Sequence, residues 1–77
     1  MRLINEKKME TFNSILLMLT PSEASELASK LKSINFKDGE HIHINDIAYK
    51  REITIAVYTD ENLHFYNEEI RDLIKSP

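Results

Sequence analysis

The tetrapeptide Thr20-Pro21-Ser22-Glu23 fixes a helix start in this chain. Thr20 offers the hydroxyl an N-cap needs. Pro21 suits the first helical position, where its missing N–H would be unbonded anyway, and Glu23 can reach back to the Thr20 amide to close a capping box. Apolar residues then recur at Ala24, Leu27, Ala28, Leu31 and Ile34 as one stripe at helical period. Lys30, Lys32 and Lys37 lie toward the C-terminal end, where cations complement the helix dipole. Asp38-Gly39 supplies the turn that ends the segment.

The residues before this helix admit two conformations. Coiled, Met9, Phe12, Ile15, Leu16 and Leu19 share a side; extended, Phe12 to Leu19 forms an apolar run that stops at the helix cap. The crowding of Ile15 to Leu19 suits a strand buried on both faces and handing directly to the helix. A strand is therefore expected there, with residues 1–10 a frayed lead-in or part of an edge.

Beyond Gly39, Ile42 and Ile44 alternate with His41, His43 and Asn45, and Ile53, Ile55 and Val57 alternate with Glu52, Thr54, Ala56 and Tyr58. Both runs are β-branched with a period of two, so each predicts a strand with one buried face. Residues 46–50 join them as a hairpin, and the absence of Asn-Gly or Asp-Gly there predicts a loop longer than the tightest type. Asp60 is expected to cap a final helix whose stripe is Leu63, Tyr66, Ile70, Leu73 and Ile74. The expected fold is α+β, one small domain over residues 1–77 in the order β-α-β-β-α, with a three-stranded sheet and both helices on one face.

Composition narrows the function classes. Seventy-seven residues allow one small core, and the absence of cysteine removes disulfide frameworks, zinc ribbons and thiol nucleophiles. Met1 to Glu10 is charged and lacks a signal-peptide core, and Ile15 to Leu19 is far shorter than the roughly 20 residues of a membrane span, so a cytoplasmic protein with no membrane partner is expected. Residues 1–37 carry six Lys/Arg against four Asp/Glu, whereas residues 38–77 carry four against nine. An acidic second half argues against nucleic acid, whose backbone is bound by clustered Lys and Arg.

Candidate chemistry is sparse. His41 and His43 project from one side of a strand about 6–7 Å apart, and with Asp46, or with His64 as a third imidazole, they have the ligand types of a divalent metal site. An exposed strand face explains the same alternation more simply, and no metal or cofactor is assigned. With Gly39 the only glycine there is no phosphate-cradling loop, and no Ser elbow or HExxH pair is present. No enzyme activity is expected. Phe65 falls on the side of the last helix opposite its stripe, in company with Glu61, Glu68 and Asp72, where an aromatic ring among carboxylates can anchor a basic partner. The outer sheet face, with His41, His43 and Tyr58, is a second candidate contact surface, free of Lys and Arg. The alternative to a foreign partner is a homodimer, built on that face or on the N-terminal segment.

Three stretches carry a resemblance: Leu19-Thr20-Pro21-Ser22-Glu23-Ala24, then His41-Ile42-His43-Ile44-Asn45-Asp46, then Glu52-Ile53-Thr54-Ile55-Ala56-Val57-Tyr58-Thr59 running into Asn62-Leu63. In this order, over about residues 15 to 75, the chain resembles small bacterial immunity proteins that accompany polymorphic toxins. The resemblance implies a compact α+β domain that binds one toxin tightly and blocks it, without catalysis or cofactor. It transfers no individual contact residue. The expected function is thus a non-catalytic protein that neutralises a partner, with Glu61, Phe65, Glu68, Asp72, His41, His43 and Tyr58 as candidate contacts.

Overall fold

The computed structural model describes residues 1–76. It is an α+β structure with two helices and two separate two-stranded antiparallel sheets. The first sheet is an N-terminal hairpin of β1 (Leu3–Asn5) and β2 (Glu10–Phe12), with Leu3 opposite Phe12. Its turn forms because Asn5 Oδ1 accepts from the amides of Lys7 (3.1 Å) and Lys8 (3.2 Å), and Met9 takes a left-handed φ of 51°.

This hairpin corrects the expected strand order. Residues 14–20 form neither strand nor helix, so no third strand joins the later hairpin, and the strand predicted over Phe12–Leu19 is absent. Pairing settles at residues 3–12 instead, where the Asn5 side chain closes a turn locally. A local closure costs less chain entropy than bringing Ile15–Leu19 to a distant strand.

Helix α1 (Pro21–Ser33) starts as its cap requires. Thr20 Oγ1 accepts from the Glu23 amide at 3.2 Å, and Glu23 Oε1 accepts from the Thr20 amide at 2.9 Å. None of its residues is fully buried. A 3-10 turn over Phe36–Asp38 follows, closed by Gly39, whose amide donates to the Phe36 carbonyl at 3.0 Å with φ +74°.

The second sheet pairs β3 (His41–Asn45) with β4 (Glu52–Ala56), with Ile42 opposite Ile55 and Ile44 opposite Ile53. Ile42 and Ile44 are the only buried apolar residues described; Ile53, Ile55 and Val57 are half-buried. Helix α1 packs beside β3, and Lys30 Nζ donates to the His43 carbonyl at 2.8 Å.

The last helix is shorter than expected. Leu63–Phe65 is a 3-10 turn, and α2 spans Glu68–Lys75 with Asn67, not Asp60, at its N-cap. Asn67 Oδ1 accepts from the Ile70 amide at 2.9 Å, and Glu68 and Glu69 occupy the first turn, where their charge suits the dipole. The predicted stripe still faces inward, since Leu63, Tyr66, Ile70, Leu73 and Ile74 are all half-buried. Arg2 ties the two ends together: its guanidinium donates to the carbonyls of Leu73 (3.3 Å) and Ser76 (2.8 Å) at the helix C-terminus.

Candidate functional site

The segment that leads to α2 is organised by a side chain the sequence does not advertise as functional. Asn62 is 1% exposed. Its Nδ2 donates to the carbonyls of Phe36 (2.7 Å) and Val57 (2.8 Å), and its Oδ1 accepts from the Thr59 amide at 2.7 Å. The Thr59 hydroxyl in turn accepts from the Asn62 amide at 3.2 Å. These reciprocal bonds copy the logic of a capping box without a helix behind it, and a Thr and an Asn three apart are the only signal of it in the sequence. Asn62 therefore clamps the 3-10 turn at Phe36 to the end of β4, and the inward pull on residue 62 explains why no helix runs on from Asp60.

The acidic side chains lie on two elements, the turn that precedes Asn62 and the last helix. Glu61 is exposed in the turn, and Glu68 and Asp72 are exposed on α2. The single helical face expected to unite Glu61, Phe65, Glu68 and Asp72 is thus split between a turn, a 3-10 turn and α2. Phe65 is 52% exposed. One side of it lies against Gly39, where an added Cβ would sit 2.7 Å from Phe65 Cβ, and its ring lies 4.2 Å from that of His64. Phe65 is therefore half anchored on the Gly39 turn and half presented to solvent.

The outer sheet face carries the histidines. His41 and His43 meet edge to face with ring centroids 4.8 Å apart. His43 Nδ1 lies 2.6 Å from Glu52 Oε1 and 2.9 Å from Thr54 Oγ1, the residue directly across the ladder. Tyr58 lies beyond the end of β4, where its hydroxyl receives a long 3.5 Å contact from the N-terminal ammonium.

Asp46 serves the hairpin loop. Oδ1 accepts from the amides of Lys50 (2.9 Å) and Arg51 (3.3 Å), and Oδ2 pairs with Arg51 Nη1 at 3.0 Å. The Lys50 amide first, then the Arg51 guanidinium, hold its carboxyl below the ordinary aspartate range. The donors that Asp46 would offer a metal are spent on the loop, and His64 stacks on Phe65 instead of joining His41 and His43. Among the described residues no group of three His, Asp or Glu side chains is arranged to hold a metal ion. No described helix is long and apolar enough to cross a membrane. Comparison with known proteins returns no match to any family model, curated protein or solved structure.

Proposed function

We propose that this chain is a non-catalytic binding protein that neutralises a partner protein, a bacterial toxin, by covering the partner's active surface. The observation that carries the proposal is Phe65, half presented to solvent in a stretch whose Glu61, Glu68 and Asp72 are all exposed. Residues 38–77 hold nine acidic side chains against four basic ones, so this half of the chain would attract a partner with a basic surface. Electrostatic attraction speeds encounter, while a buried aromatic anchor slows release. The immunity-protein resemblance supplies the toxin, and the charged N-terminal stretch is the ground for proposing the cytoplasm as the place of action. The polar sheet face of His41 and His43, with Tyr58 just beyond the end of β4, would extend the contact.

The test is affinity capture from the source organism over a range of salt. Wild type is compared with the triple charge reversal Glu61→Lys, Glu68→Lys, Asp72→Lys. One stoichiometric partner, captured at low salt and lost with the triple variant, is the expected result, and co-expression of the chain should relieve that partner's toxicity. Equal capture by the variant removes the acidic contact, and a partner without toxicity removes the neutralising role.

A further inference from the structure

Ser14 to Leu19 is the most anomalous stretch of the surface. Exposure alternates along it: Leu16 and Met18 are 86% and 82% exposed, whereas Ile15 and Leu17 are 53% and 45%. That is the period of a strand, with one row of side chains turned outward. Yet among the described residues no backbone hydrogen bond reaches residues 14–19. A run of five large apolar residues thus shows solvent both a side-chain row and its backbone donors and acceptors. An extended segment in this condition offers another chain the same unpaired groups as a sheet edge does.

The whole-molecule surface agrees. The accessible area is 6398 Å², whereas a folded monomer of 9.0 kDa should expose about 4,850 Å². The surplus of about 1,500 Å² exceeds the ~800 Å² that each partner contributes to a standard interface. The radius of gyration is 13.3 Å against about 11.5 Å for a compact domain of this length. Helix α1, which follows the segment, also leaves Ala24, Ala28 and Leu31 exposed.

We propose that a second copy of this chain covers Ser14–Leu19, the two segments pairing with each other about a two-fold axis. Three observations choose a second copy over a foreign protein. Residues 13–22 carry no charge, so the patch meets its own image without repulsion, while the acidic side chains that suit a basic partner lie elsewhere. Among the described residues the buried apolar side chains are Ile42 and Ile44, a core too small to wait for an occasional partner, and a second copy is present whenever the chain is made. A two-fold axis perpendicular to the segments also turns each antiparallel to its mate, a direction in which two strands can pair. The dimer leaves Phe65 and the acidic residues of the proposed toxin contact outside its central seam, and it stands whether or not that contact exists.

Sedimentation equilibrium of the full chain from about 1 to 100 µM tests the proposal. The expected mass is twice 9.0 kDa, and Leu16→Asp/Met18→Asp should raise the dissociation constant at least about tenfold. Ile47→Asp, at an apolar residue 98% exposed in a different loop, should leave the dimer intact. A wild-type monomer at 100 µM, or a dimer indifferent to the double substitution, overturns the proposal. If the double variant does not fold, cross-linking decides, because the chain has no cysteine of its own. Leu16→Cys, Leu17→Cys and Met18→Cys are oxidised one at a time with Ile47→Cys as the control. Covalent dimer at one or two neighbouring segment positions, those at the two-fold axis, supports the pairing; its absence from all three, or equal dimer at Ile47→Cys, overturns it.

Discussion

Asn62 spends its whole amide on the backbone of three other residues, and that makes it the side chain with the most to lose. Truncation in Asn62→Ala would leave the Phe36 and Val57 carbonyls without their donor and the Thr59 amide without its acceptor. Orphaned groups of this kind cost about 1–3 kcal/mol each, and water will recover part of that, so a loss of about 2–4 kcal/mol is expected in urea unfolding. Asn62→Asp should be no rescue, because it points a carboxylate at two carbonyls. Asp46 makes the opposite kind of contribution, through charge at the surface. Its carboxyl is held below the ordinary aspartate range by the Lys50 amide and the Arg51 guanidinium, so the unfolded chain takes up this proton at higher pH than the folded one. The stabilisation is present above the ordinary aspartate pKa and fades as pH falls through the lower folded value. An NMR titration should place the Asp46 midpoint below that of a free aspartate, with the Lys50 amide shift following the same curve.

At the scale of elements, caps rather than buried stripes set the boundaries. Helix α1 has no fully buried residue, so its start depends on the Thr20–Glu23 box more than on packing. Thr20→Ala removes the acceptor for the Glu23 amide and should cost about 1 kcal/mol, visible as a lower urea midpoint at unchanged slope, with Thr20→Ser restoring most of it. The box and the β3–β4 hairpin were legible from sequence because each is written in contiguous residues: a hydroxyl three before a carboxylate, and two β-branched runs of period two. The start of α2 was not legible from sequence: the periodic stripe runs unbroken from Leu63 and points to Asp60 as the cap, whereas the structure places the cap at Asn67. What decides between them is the buried Asn62, whose partners at Phe36 and Val57 are 26 and 5 residues away. The candidate site shared this fate. Exposure of Glu61, Glu68 and Asp72 followed from the acidic pattern, but the separation of Glu61 and Phe65 from the helix that carries Glu68 and Asp72 did not.

The molecule has more surface than its mass warrants, and among the described residues its buried apolar side chains are two isoleucines. Burial of each contributes about 1.5–3 kcal/mol, small against the entropy of ordering the chain. Stability that depends on a second copy depends on concentration. With an unfolding entropy of about 2.1 cal/mol/K per residue over two chains, the thermal midpoint should rise by about 5 °C for each tenfold increase in protein, read by circular dichroism. A midpoint independent of concentration would show that one chain folds alone.

The sequence by itself determined the helix start at Thr20, the alternation that pairs Ile42 and Ile44 with Ile55 and Ile53, the inward stripe of the last segment and the acidic balance of the second half. Each is set by neighbours within a few residues, where propensity and periodicity act. Only the tertiary structure decided that residues 3–12 pair locally, that Ile15–Leu19 stays unpaired at the surface, and that Asn62 interrupts the last helix. An apolar run records that burial is favourable, but not what will bury it. The supply of strand edges and carbonyls is a property of the folded chain.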